Sequence, residues 1–126
     1  MRIWVEAHGP ASRVEIWARY ADPSRWPLWA PQIRAVRAEG PLHPGLEGVV
    51  VGPLGARARF WVRDVDEAAG RWSWRVRGGL GPFAVEMTIE HHVADGFAAL
   101  VINGAAPVVV AYEPIARLAL ARIVRA

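Results

Sequence analysis

The stretch Ala18-Arg-Tyr-Ala-Asp-Pro-Ser-Arg-Trp-Pro-Leu-Trp-Ala-Pro-Gln-Ile33 decides the fold: its residue order fits the end of one helix, a short capped second helix and the entry to a strand. Asp22 before Pro23 is a helix start. The carboxylate can accept from the free amides of the next turn, and proline at the first helical position forfeits no hydrogen bond. Pro27 and Pro31 then limit how far that helix runs.

Upstream, residues 2–7 alternate, with Ile3, Val5 and Ala7 on one face and Trp4 and Glu6 on the other, which predicts a strand ended by Gly9-Pro10. Ser12 and Glu15 have capping-box spacing, and Val14, Trp17, Ala18 and Ala21 give the helix that follows an apolar stripe. Downstream, strands are predicted at Ile33–Ala38, Leu46–Val51, Ala56–Asp66, Arg71–Arg77, Phe83–Ala94 and Phe97–Asn103, with Gly and Pro clusters between them and a hairpin at Asp95-Gly96. From about Pro107 to Arg125 the period turns helical, with Val108, Tyr112, Ile115, Ala119 and Ile123 in one arc. Pro114 inside this segment, on its polar side, predicts a kink or a break.

The pattern Trp17, Ala21-Asp22-Pro23, Trp26-Pro27, Trp29 and Pro31 resembles the opening of the polyketide cyclase/START-like superfamily (SRPBCC, Bet v 1-like), and the order of elements extends the resemblance over essentially the whole chain. It implies an α+β helix-grip fold, β-α-α-β6-α, in which a curved antiparallel sheet wraps around a long C-terminal helix with a cavity between them. Residues 1–126 then form one domain. The superfamily includes cyclases, lipid and hormone carriers and chaperone activators, so the resemblance speaks to fold more than to function.

Composition narrows the classes further. With 126 residues, 53% hydrophobic and 21% charged, the chain is globular. The absence of cysteine excludes disulfides, thiolate metal sites and a cysteine nucleophile. The N-terminus lacks a signal peptide's apolar region, and the most apolar run, Phe97–Tyr112, is interrupted by Asn103, Gly104 and Pro107, so no membrane span is expected and the cytoplasm is the expected location. All fifteen basic residues are Arg, and a net charge of +3 is too modest to point to a nucleic-acid partner. Arg57, Arg59, Arg63, Arg71, Arg75 and Arg77, with Glu86 and Glu90 on the next strand, read as a solvated sheet face.

The case for a ligand cavity rests on large side chains in covered phases: Phe60, Trp72, Trp74, Phe83 and Met87 on strands, Tyr112 on the last helix and Trp29 at the mouth. The competing reading is that these groups simply fill the core. His91 continues the inward phase of Phe83, Val85, Met87 and Ile89, and suits either proton transfer or a hydrogen bond to a ligand carbonyl. His91, Tyr112 and Arg59 are the candidate catalytic groups, although Arg59 lies in the polar phase of its strand. His91 and His92 face opposite ways, and no metal site or cofactor is expected. The Gly78-Gly-Leu-Gly-Pro82 loop precedes no helix and reads as a hairpin connection, not a phosphate cradle.

The function expected is binding of a small hydrophobic or aromatic molecule. If the protein is an enzyme, the resemblance implies a polyketide cyclase/dehydrase-like reaction. The rivals are a non-catalytic lipid or quinone carrier and a protein-interaction module with an exposed apolar patch at Trp4, Trp26 or Trp61, a patch that would also suit a homodimer.

Overall fold

A computed structural model describes residues 1–79 and 84–126. Phe83 and most of the Gly78–Pro82 loop lie outside the described residues. The strands are β1 (Arg2–His8), β2 (Ala35–Arg37), β3 (Glu47–Val51), β4 (Arg57–Asp66), β5 (Arg71–Gly78), β6 (Val85–Ala94) and β7 (Phe97–Gly104). The helices are α1 (Arg13–Ala21), α2 (Trp26–Trp29) and α3 (Ala106–Ile123), and a 3-10 turn, Pro23–Arg25, leads into α2. Among the described residues these strands make one seven-stranded sheet in the order β1-β7-β6-β5-β4-β3-β2. Every adjacent pair is antiparallel. This is the α+β helix-grip arrangement expected.

Local chemistry sets the element boundaries. The Ser12 hydroxyl accepts from the Glu15 amide, and the Asp22 carboxylate accepts from the Ser24 amide with Pro23 at the first helical position. The Ser12 hydroxyl also lies 3.2 Å from the Glu15 carboxylate, so that carboxylate meets the hydroxyl of the capping residue. Gly96 closes the β6–β7 hairpin at φ +67°, a conformation that favours glycine. The register of β4 against β5 shifts between Val62 and Asp64, a bulge that adds curvature to the sheet. At Gly48 a Cβ would stand 2.7 Å from the Phe60 ring, so only glycine lets β3 pass that ring.

Two helical stripes are rotated from the expected ones. On α1 the buried residues are Ile16, Trp17 and Tyr20, while Val14 is 78% exposed. On α3 the buried set is Val109, Ala116, Ala119, Leu120 and Ile123, and Ile115 is exposed. In both helices more than one arc is apolar, and packing on the sheet decides which of them is buried. Helix α3 is also not broken at Pro114. That proline is exposed, and so is Val110, the residue four positions earlier, so the carbonyl that loses its helical partner lies on the solvent side.

The core is a cluster of rings packed edge-on, tilted and, for Trp26 on Trp72, stacked. Trp26 projects from the start of α2 onto the concave face and is 1% exposed, which removes it from any surface patch. Its ring lies 5.8 Å from Trp72, 5.1 Å from Trp74 and 5.5 Å from Phe60, and its indole nitrogen donates to the Tyr20 carbonyl at 2.9 Å. The Trp26→Ala variant is expected to lose about 3–5 kcal/mol of unfolding free energy in urea melts, the cost of a large buried ring together with the cavity it leaves. A loss below 1 kcal/mol would show that this ring does not hold the concave face.

Candidate ligand pocket

Helix α3 packs on β1, β7 and β6, at one side of the sheet. Seven strands spaced about 4.8 Å apart span roughly 29 Å, whereas a helix is about 10–12 Å across, so α3 cannot cover the whole concave face. The aromatic cluster fills part of the remainder. What is left is a cavity of about 320 Å³ over β3, β4, β5 and β6. Its walls are mainly apolar, from Ile33, Val50, Trp74, Val76, Met87 and Ile89; Gln32 and Tyr112 supply polar groups and Arg57 stands at the rim.

The expected site residues divide among three environments. Trp74, Met87 and Tyr112 line the pocket. Phe60 and Trp72 do not; with Trp26 they are solid core, each no more than 1% exposed. Trp29 is not at the mouth but 8% exposed, with its ring edge-on to Tyr20 and its indole nitrogen 3.3 Å from the Arg19 carbonyl. Arg59 lies on the opposite face of the sheet, where Arg59 and Arg75 flank the Trp61 ring at 5.3 and 4.8 Å. Alternation from Ala58 to Val62, ahead of the bulge, puts Arg59 and Trp61 on that outer face, and Arg59 cannot reach a ligand in the pocket.

His91 is inward and 3% exposed. Its ring stacks on Trp72 with centroids 4.1 Å apart and an interplanar angle of 4°, and Tyr20 meets it edge-on at 4.8 Å. The Trp74 indole nitrogen donates to His91 Nε2 at 2.9 Å. An indole N–H can only donate, so Nε2 is the acceptor and the proton of the neutral ring sits on Nδ1. Burial, with a smaller contribution from neighbouring His92, holds the His91 pKa well below the ordinary histidine value. His91 is therefore an uncharged hydrogen-bond donor at Nδ1 and not a free base.

Below the pocket lies a chamber of about 20 Å³, lined by Tyr20, Trp29, Gln32, His91 and Tyr112 among others. Gln32 Nε2 donates to the Tyr112 hydroxyl at 3.0 Å, tying the segment after α2 to α3. Burial raises the pKa of both phenols, so Tyr20 and Tyr112 stay protonated. Tyr20 and Gln32 were not among the candidates from sequence. The spacing of Ile16, Trp17 and Tyr20 on α1 carried a signal for Tyr20; no spacing marked Gln32.

The buried histidine makes stability depend on pH. The unfolded chain takes up a proton near pH 6.5 while folded His91 stays neutral, so acidification favours unfolding. Lowering the pH from 7.5 to 5.5 is expected to remove on the order of 1 kcal/mol from this source, and His91→Gln to lose that part of the slope in denaturant titrations at the two pH values. An unchanged slope in the variant would contradict a neutral buried His91.

Comparison with known proteins agrees with this architecture. Residues 2–126 match the family described as polyketide cyclase / dehydrase and lipid transport. No curated protein matches the chain. Among solved structures, DynU16 from the dynemicin biosynthetic locus superposes with a TM-score of 0.76 at 18% identity, over 98% of this chain and 45% of that one, so this chain spans less than half of it. Norcoclaurine synthase from Thalictrum flavum gives 0.65 at 18% identity over 98% and 84% of the two chains, and Ara h 8.0201 gives 0.69 at 17% over 98% and 95%. These likenesses concern the fold, and the match across residues 2–126 concerns the family: the chain belongs to the polyketide cyclase/dehydrase and lipid transport family, within the SRPBCC superfamily of Bet v 1-like folds.

Proposed function

We propose that the protein binds a small hydrophobic or aromatic molecule in the pocket between α3 and strands β3 to β6. The observation that carries this reading is the pocket itself: about 320 Å³ of mainly apolar space beside a core that is otherwise packed ring on ring. Small-molecule sites begin at about 300 Å³ and are typically apolar with a few placed polar groups. The family and the fold support the same reading.

Binding without chemistry suits the polar groups better than catalysis does. An aldol or dehydration step needs a group that accepts a proton from carbon. Among the described residues no carboxylate lines the pocket, and His91 has its one acceptor nitrogen engaged by Trp74. A cyclase-like activity would therefore have to draw its base from the substrate or the solvent, with the pocket supplying only positioning.

Trp74 lines the pocket and serves as its reporter. Titration with flat apolar molecules such as naphthalene derivatives is expected to change tryptophan fluorescence saturably. Val76→Phe, which places a ring inside the pocket, is expected to weaken that binding at least tenfold and leave the melting temperature within a few degrees. Equal binding by the variant and the natural chain would place the ligand elsewhere and overturn the proposal.

A further inference from the structure

The small chamber beneath the pocket holds an unusual concentration of unmet polar chemistry. Among the described residues, the buried side-chain polar atoms with no partner in the protein are Tyr20 Oη, Gln32 Oε1, His91 Nδ1 and Trp72 Nε1. The first three belong to residues that line this one chamber. Leaving such groups unmet costs about 1–3 kcal/mol each, and buried polar groups in folded proteins are nearly always bonded. Three such atoms on residues that border one small space mark a place for a polar atom.

We infer that this chamber seats a single uncharged oxygen, a hydroxyl or carbonyl at the end of an otherwise apolar ligand whose body fills the adjoining pocket. The inference rests on the pocket reading above and adds the class of ligand. Size sets the first limit: about 20 Å³ admits one oxygen-sized group, since a water needs about 10–15 Å³ on this scale. Continuity sets the second, because Gln32, Ile33, Trp74, Ile89 and Tyr112 line both spaces. A ligand in the pocket lies against the chamber's own wall.

The donor pattern specifies the oxygen. His91 Nδ1–H can only donate in the tautomer that Trp74 enforces, the Tyr20 hydroxyl can donate or accept, and Gln32 Oε1 can only accept. A hydroxyl oxygen accepting from His91 or Tyr20, with its own proton toward Gln32, satisfies both directions; a carbonyl oxygen uses the donors alone. A carboxylate or phosphate does not fit: it is too large, and among the described residues none that lines the chamber carries a charge. Bringing an unpaired anion to this depth would also incur its full desolvation cost. The chamber thus selects neutral phenols, alcohols and ketones over acids of the same skeleton.

Calorimetric titration with 2-naphthol, naphthalene and 2-naphthoate separates the possibilities. The expected order is 2-naphthol tighter than naphthalene by roughly tenfold, the worth of one or two hydrogen bonds, and 2-naphthoate weakest. Tyr20→Phe, which removes one hydroxyl and keeps the ring, is expected to narrow the tenfold preference to about threefold. In parallel, 1H–15N spectra of the natural chain should show His91 protonated at Nδ1, with that resonance moving on addition of 2-naphthol and not of naphthalene. Equal affinities for naphthol and naphthalene, a preference for the naphthoate, or a His91 protonated at Nε2 would each overturn the inference and leave the pocket reading standing. Failure of both naphthalene and 2-naphthol to bind would overturn both.

Discussion

A curved sheet wider than any one helix must have its concave apolar face covered by something else. In this protein α3 covers the β1, β7 and β6 side, and the segment from Tyr20 to Trp29 brings in large rings that cover the middle. Each such ring removes about 150–250 Å² from water, so a few residues on short elements do the work of another helix. The uncovered part, over Val50, Val76 and Met87, is the pocket. Its existence follows from the mismatch between sheet width and helix diameter, and the proposed ligand would complete the apolar cover.

Polar groups in such an interior are confined to a narrow set of states. The Trp74 to His91 bond fixes one tautomer, burial keeps the imidazole and both phenols uncharged, and the Gln32 to Tyr112 bond joins the two sides of the cavity. The result is a small array of neutral donors and acceptors in a low-dielectric setting, where each hydrogen bond is strong and each unmet one costly. Charge is kept to the opposite face of the sheet, where Arg75 pairs with Glu86 at 3.1 Å and Arg59 lies beside Trp61.

Much of the architecture was legible in the sequence because period-2 alternation and turn chemistry are local signals. Asp22-Pro23, Asp95-Gly96 and the alternation through Phe60, Trp72, Trp74 and Ile89 placed elements and faces correctly, and with them the inward direction of His91. The helical faces were less legible. On α1 and α3 more than one arc was apolar, and the contact with the sheet chose between them; the wrong choice on α1 hid Tyr20. Which rings line a hole and which fill the core depends on packing in three dimensions, so Phe60 and Trp72 were indistinguishable from Trp74 in sequence. Gln32 carries no periodic signal, and its role arises only where the segment after α2 meets Tyr112.

The central claim is that the apolar space over strands β3 to β6 is a ligand site. Methyl-resolved NMR during titration with an apolar aromatic probe tests it most directly, because the methyl groups of Val50, Val76, Met87 and Ile89 line that space while those of Val5 and Ile102 lie in the core and do not. The account predicts saturable shifts concentrated in the first set. Shifts spread evenly over the core, concentrated around Trp61 on the outer face, or absent at probe saturation would contradict it.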